Sequence, residues 1–181
     1  MAATITDADG FEHQTLSQLG NGIWSSALSG GVTIDTTVFR SGVASLKVAQ
    51  DGATATNHEK LIRTAAQTMV GSFYFRVAAA PSADSTMFAA KGPTAAGKPT
   101  FAVLTTGVIQ AQNSGAQVAN GPNIADGLWH KLDFRFVSTT TYTIEWYIDG
   151  KQQSSTSLGA QTALNMTNWQ FGALNAAHTL T

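Results

Sequence analysis

The side chains best suited to chemistry lie in two neighbouring segments, DGLWHKLDFRF at 126–136 and YTIEWYIDG at 142–150. Together the segments hold carboxylates, basic groups, a histidine and two tryptophans. Such a mixture can form a hydrolytic site, a sugar-binding surface or the two faces of a β-hairpin. The spacing of the residues helps to separate these three interpretations.

Hydrolysis of a glycosidic bond with retention needs two carboxyl groups about 5–5.5 Å apart. Glu145 and Asp149 are four residues apart, which on a strand separates them by roughly 13 Å. Asp133 can approach Glu145 across a hairpin. The simpler expectation for Asp133 is an ion pair with Arg135 or Lys131. Since no segment reads G-x-S-x-G either, we predict no catalytic residues and a protein that is not an enzyme.

Patterns that bind metal ions are also lacking. The sequence has no cysteine, which excludes disulfides and thiolate metal sites. Its four histidines are too far apart along the chain to form a local zinc motif. The stretch DADG at 7–10 lacks the further ligands of an EF-hand loop. We predict no metal site and no cofactor, and a calcium ion held between loops stays open as an alternative.

Sugar binding is the sharper alternative to a structural role. Aromatic rings outside the core, next to amide and carboxylate groups, can stack on a glycan and form hydrogen bonds with it. The residues predicted to bind a glycan or a protein partner are Trp24, Tyr74, Asp133, Arg135, Glu145 and Tyr147. The competing interpretation is that the rings only pack at the ends of the fold or decorate a sheet face. His130 shares the parity of apolar neighbours, so we expect it to be structural.

The elements that position these residues are predicted to be β-strands, because apolar and polar residues alternate in both segments. In the first segment the inward residues are His130, Leu132, Phe134 and Phe136. In the second they are Tyr142, Ile144, Trp146 and Ile148. The pair Asp149–Gly150 fits a two-residue type I′ turn that leads into a third strand at 151–157. Asp133, Arg135, Glu145 and Tyr147 then form an outward row.

The same alternation recurs along the chain and is interrupted at short intervals by turn-forming residues. The predicted strands are 43–48, 71–77, 99–104, 107–112 and 168–174, with weaker candidates at 31–34, 60–64 and 85–90. The predicted turns include Gly121–Pro122. No amphipathic helix or internal repeat is evident. Many short antiparallel strands predict an all-β sandwich or jelly roll.

The order of the motifs resembles that of a known family. The two opening segments resemble the W-H strand and D-G-K hairpin of concanavalin A-like and laminin G-like jelly-roll domains. Four further stretches resemble other strands of such domains: DGFE at 9–12, FRSGVASLKV at 39–48, GSFYFRV at 71–77 and NWQFGAL at 168–174. The resemblance spans about residues 9–174. It implies a two-sheet antiparallel jelly-roll sandwich with one concave sheet, and a closing strand in the tail or beyond residue 181.

Length and charge restrict the remaining options. A chain of 181 residues suits one domain, which we predict over 1–181, with 1–8 as a mobile arm. Charged residues make up only 12% of the chain and the net charge is −1. The basic residues never form a run, so we expect no nucleic acid partner. Neither a secretory signal nor a membrane span is predicted.

These features lead us to expect a non-enzymatic structural or binding module of a virus particle surface, such as a bacteriophage capsid decoration or tail protein. It would be made in the host cytoplasm and join the virion by assembly. The expected partners are other virion proteins, copies of itself and cell-surface glycans. The first alternative is a lectin-like carbohydrate-binding module, and the second is a glycoside hydrolase.

Overall fold

The computed structural model describes residues 32–48, 58–91, 99–113, 116–160 and 165–171. Within these ranges all regular structure is β-strand and no helix occurs. The strands are β1 (Val32–Asp35), β2 (Ser45–Val48), β3 (His58–Ala66), β4 (Thr68–Arg76), β5 (Ser85–Lys91), β6 (Pro99–Val103), β7 (Val108–Asn113), β8 (Ala116–Asn123), β9 (Trp129–Ser138), β10 (Thr141–Ile148), β11 (Lys151–Ala160) and β12 (Met166–Phe171). All their pairings are antiparallel. The all-β prediction is confirmed.

The strands form three sheets. The four-stranded sheet has the order β11-β10-β9-β4, the six-stranded sheet has the order β3-β12-β5-β6-β7-β8, and β1 pairs with β2. The core lies between the two larger sheets, because aromatic rings of one sheet pack against rings of the other. The ring centroids of Phe88 and Phe134 are 5.0 Å apart, and those of Phe101 and Trp146 are 5.3 Å apart. The predicted two-sheet sandwich is therefore confirmed.

The predicted hairpin is confirmed in its strands, parity and turn. The inward residues Leu132, Ile144 and Trp146 are completely buried, while Arg135 on the opposite parity is exposed. At the turn, Asp149 has a φ of 51° and Gly150 a φ of 79°, and two positive φ angles are what a type I′ turn requires. β9, β10 and β11 are consecutive neighbours in the four-stranded sheet.

The predicted turn at Gly121–Pro122 is wrong, because both residues lie within β8. A Cβ atom on Gly121 would be 2.6 Å from the ring of Trp146. The glycine therefore leaves room for the indole of the facing sheet, which is a packing role rather than a turn. Pro122 is tolerated because β8 is an edge strand among the described residues.

Other predicted strands are present with shifted ends. β12 begins at Met166, two residues before the predicted start, and β3 extends to both sides of the predicted 60–64. The arm at 1–8, the DGFE segment and the closing strand lie outside the described residues. None of the residues that are described belongs to a helix long and apolar enough to cross a membrane.

Candidate binding site

Five of the six predicted binding residues lie on one surface. They are Tyr74, Asp133, Arg135, Glu145 and Tyr147, contributed by β4, β9 and β10. Because these strands are neighbours and side chains alternate along a strand, equal parity places all five on the side that faces away from the core. We call the outward residues of β4, β9 and β10 the outer face. The sixth residue, Trp24, lies outside the described residues.

The register of the strands brings the charged residues of the outer face together. Arg135 lies directly opposite Glu145, and Asp133 lies directly opposite Tyr147. On the other side of β9, Val70 of β4 lies opposite Arg135. Residues opposite each other in an antiparallel pair have Cβ atoms about 4.5–5.5 Å apart. The predicted residues therefore form a continuous patch rather than scattered positions.

Asp133 is neutralised within the outer face. Its carboxylate accepts a hydrogen bond of 2.6 Å from the Ser72 hydroxyl and lies 2.9 Å from the Lys131 ammonium group. The hydrogen bond to Asp133 raises the pKa of Lys131 above its usual value. Of the two ion-pair partners expected for Asp133, Lys131 forms the ion pair and Arg135 does not.

Glu145 accepts a hydrogen bond from a side chain of its own strand, β10. The Tyr147 hydroxyl donates a hydrogen bond of 2.5 Å to the Glu145 carboxylate. This bond, together with slight desolvation, raises the pKa of Tyr147 above that of free tyrosine. The phenol therefore stays protonated at neutral pH and acts as a donor to the carboxylate.

Arg135 is an exposed cation on the outer face. Within the part of the chain that the structure describes, its guanidinium group forms no hydrogen bond or ion pair. The adjacent Val70 is also exposed, with 64% of its surface accessible. This guanidinium group and the exposed apolar surface beside it are the part of the outer face best suited to bind another molecule.

Tyr74 is occupied on one side of its ring. The guanidinium carbon of Arg40 lies 3.5 Å from the ring centroid, in cation–π geometry. Arg40 belongs to the segment between β1 and β2, which also exposes Val38, Phe39 and Val43. The sequence carried no signal for this contact, because Arg40 is distant from Tyr74 along the chain and lies outside a strand. A glycan cannot stack on the side of the ring that Arg40 covers.

His130 lies between two carboxylates at the end of the hairpin. Its Nδ1 is 2.8 Å from Asp149 and its Nε2 is 3.1 Å from Asp126, and only 12% of the side chain is exposed. Burial lowers the pKa of His130, but the hydrogen bonds to Asp149 and Asp126 outweigh it and raise the pKa overall. Asp149 also accepts a hydrogen bond from the Lys131 backbone N–H. The cluster thus holds the turn in place, as expected of a structural histidine.

Among the described residues, no group of three or more histidine, aspartate or glutamate side chains is arranged so that it could hold a metal ion. Asp126 and Asp149 contact opposite ring nitrogens of His130. The imidazole therefore occupies the space between the two carboxylates.

A second polar feature lies on the side of the six-stranded sheet that faces away from the core. The Gln110 amide donates to the Asn120 side-chain oxygen at 2.8 Å, and the Gln112 amide donates to the Gln110 oxygen at 2.7 Å. Thr100 donates to Gln112 over a longer 3.5 Å. We call these four residues the amide network. The sequence analysis missed it, although the Q-A-Q spacing in 107–112 places both glutamines on one face.

Three of the four residues of the amide network are closed to solvent, and the fourth, Asn120, is exposed. Gln110 is 5% exposed, Gln112 is 8% exposed and Thr100 is 7% exposed. Its amides are bonded chiefly to one another rather than directed toward open space. A ligand that binds there must first break bonds within the network.

No protein-family model matches the sequence, and no curated protein is similar to it in sequence. Solved structures nevertheless share its fold. An endo-β-1,4-glucuronan lyase from the fungus Trichoderma reesei has a TM-score of 0.60 at 14% identity, over 84% of this chain and 79% of the lyase. A carbohydrate esterase from the Shiga toxin-encoding bacteriophage phi24B has a TM-score of 0.61 at 16% identity, over 92% and 91%.

Domains LG4-5 of the mouse laminin alpha1 chain have a TM-score of 0.53 at 12% identity, over 85% of this chain and 40% of the laminin chain. Lyases, esterases, lectin-like domains and receptor-binding modules all use this fold, so the fold alone does not select an activity. The resemblance in the sequence motifs is confirmed by the structure. The chain has the concanavalin A-like, laminin G-like jelly-roll fold.

Proposed function

We propose that this chain is a non-enzymatic structural and binding module of a virus particle surface, and that it attaches to a protein partner through the outer face. The observation that carries the proposal is the exposed surface around Arg135 and Val70. Arginine and tyrosine are enriched among the residues that contribute most to protein interfaces. The outer face combines both with apolar surface.

The non-enzymatic part of the proposal is supported by the bonding of the carboxylates. Asp133 is held by Ser72 and Lys131, and Glu145 is held by Tyr147. A general acid or base needs its reacting oxygen within reach of a substrate. Asp133 is already bonded to two partners from the protein itself, and one oxygen of Glu145 is engaged by the Tyr147 hydroxyl.

The virion part of the proposal is supported by the composition and by one structural neighbour. A chain without cysteine folds in a reducing cytoplasm without depending on disulfides. The phage carbohydrate esterase matches nearly the whole length of both chains. Assembly onto a particle would bring such a module outside a cell, where its partners are other virion proteins and its target includes cell-surface glycans.

The test is mass spectrometry and immunogold microscopy of particles purified from the source of this sequence. We expect to find the chain on intact particles. We expect Val70→Asp to reduce the amount of the chain bound to particles by about tenfold, since a buried unpaired charge opposes association. Leu128→Asp is the matched control, because Leu128 is exposed to a similar extent, 62% against 64%, and lies outside the outer face. Absence of the chain from particles, or equal attachment of both variants, would contradict the proposal.

The amide network favours a second candidate function, carbohydrate binding. Glutamine and asparagine side chains in a row can donate to and accept from sugar hydroxyl groups. The structural neighbours named as glucuronan lyase and alginate lyase suggest uronic acid polymers as the first ligands to try. Calorimetry with glucuronan and alginate tests this candidate. Binding that Gln110→Ala abolishes, in a variant that remains folded, would favour it over the first proposal.

A further inference from the structure

Arg135 and Glu145, which lie opposite each other in β9 and β10, give the outer face a self-complementary arrangement of charge. From this arrangement we infer that the protein partner of the outer face is a second copy of this chain. The inference rests on the proposed function, because it names the partner of the same surface. It depends on Arg135 and Glu145, on the strands that hold them, and on the charge of the whole molecule.

Arg135 and Glu145 lie opposite each other in β9 and β10, yet they form no ion pair with each other. Glu145 uses one oxygen, Oε1, to accept the Tyr147 hydroxyl. A carboxylate has room for several donors and can bind a guanidinium group with both oxygens. The outer face therefore presents a donor group and an acceptor group side by side, and each can still take a charged partner.

A two-fold axis between β9 and β10 satisfies both groups at once. Let the axis run parallel to the strands, in the plane between two outer faces that pack against each other. Rotation about it places β9 of one copy over β10 of the other, at the same height along the strands. Arg135 of each copy then faces Glu145 of its partner, as an isologous contact requires. The axis also places β4 of one copy over β11 of the other.

The other properties of the outer face fit this packing. Two sheets pack face to face about 10 Å apart with their strands within about 30° of each other, so side chains from both faces meet between them. Val70 then leaves water, having been 64% exposed. The net charge of −1 gives little repulsion between two copies, and proteins close to zero charge associate readily.

A glycan fits the outer face less well than a second copy does. Tyr74 has one side of its ring under Arg40, and the Tyr147 hydroxyl is engaged by Glu145. The two rings that would stack on or bond to a sugar are therefore partly used by the protein. Arg135 and the second oxygen of Glu145 remain, and a two-fold rotation matches each of them with its opposite charge on another copy.

The test is sedimentation equilibrium of the full chain and of charge-swapped variants. We expect the wild-type chain to form dimers in a concentration-dependent manner. Arg135→Glu and Glu145→Arg should each raise the dimer dissociation constant by about tenfold or more, because like charges then face each other in both contacts. The double variant R135E/E145R restores opposite charges across the interface, so its dissociation constant should return toward the wild-type value. Circular dichroism checks that each variant is folded.

A wild-type chain that stays monomeric at every concentration would overturn the inference, and so would a double variant as weak as the single ones. Leu128→Asp should leave the dimer unchanged. The outcome for the proposed function is separate. If the chain is monomeric but Val70→Asp still detaches it from particles, the outer face binds a different protein and only the inference falls. If Val70→Asp detaches nothing, the proposed function falls as well.

Discussion

The two larger sheets of this sandwich turn very different surfaces away from the core. The outer face of the four-stranded sheet is charged and partly open to solvent, with Arg135 and Val70 exposed. The outward side of the six-stranded sheet is uncharged along β6 and β7, and its glutamines Gln110 and Gln112 are buried. Both surfaces come from the same alternation of inward and outward residues. Their difference lies in what the outward residues bond to.

Because of this difference, we expect the amide network to contribute to stability and the outer face to contribute to binding. In the amide network Gln110, Gln112 and Thr100 are buried and bonded to one another or to Asn120, so losing Gln110 leaves the Gln112 amide buried and unpaired. On the outer face a lost partner can be replaced by water at small cost. Substitutions in the amide network should therefore lower stability, whereas those on the outer face should mainly change association.

The largest effect is expected for Gln110→Ala. The substitution removes the acceptor of the Gln112 amide and the donor to Asn120, which should lower the free energy of unfolding by about 2 kcal/mol. Urea denaturation of the variant and the wild type measures this decrease in the free energy of unfolding.

The double variant Q110M/Q112M provides a control, because it removes both members of one bond together. Its cost should be smaller than the sum of the two single methionine substitutions, which a double-mutant cycle resolves. If Gln110→Ala changes stability no more than a typical surface substitution, the amide network is open to water. The contrast between the two surfaces would then be lost, and carbohydrate binding would gain support.

An intermediate effect is expected for His130→Gln, at the boundary between core and solvent. The raised pKa of His130 stabilises the folded chain below pH ~6.5, and this contribution is lost as the pH rises through the raised value. The backbone N–H of Leu128 and the His130 ring lower the pKa of Asp126. Burial raises the pKa of Asp149, but the hydrogen bonds from His130 and the Lys131 backbone outweigh it and lower the pKa overall. The contribution of these two carboxylates is present above pH ~3.9 and is lost as the pH falls.

The cluster is therefore most stabilising between about pH 4 and 6.5. In that range His130→Gln should lower the free energy of unfolding by about 1 kcal/mol, since both carboxylates are largely solvated. Unfolding by urea at several pH values measures the difference, which should shrink above neutral pH. Lys131→Gln, the next residue in β9, should leave the pH dependence between 6 and 8 as in the wild type. A His130→Gln penalty that does not vary with pH would show that the ring is not protonated in the cluster.

The contrast between the surfaces could be predicted from the sequence only in part. Alternation in β9 and β10 is a local property, so the outward parity of Glu145 and Tyr147 and the turn at Asp149–Gly150 were predictable. The contact of Arg40 with Tyr74 was not, since it joins a loop to a distant strand. The predicted turn at Gly121 was wrong for the same reason, because the role of this glycine depends on the Trp146 ring in the other sheet. Burial of the amide network likewise depends on tertiary packing.

The smallest effect is expected at Tyr147 and Glu145, where it concerns protonation rather than stability. Glu145→Gln removes the charge that holds the Tyr147 proton, so the pKa of Tyr147 should fall toward the usual value of about 10. Ultraviolet titration detects this, because the chain has only three tyrosines. Tyr147→Phe should remove the affected group from the titration, while Tyr74→Phe should leave it in place. An unchanged titration in Glu145→Gln would mean that Glu145 does not hold the Tyr147 proton in solution, and the outer face would then offer the phenol hydroxyl, as well as the Arg135 guanidinium group, to a partner.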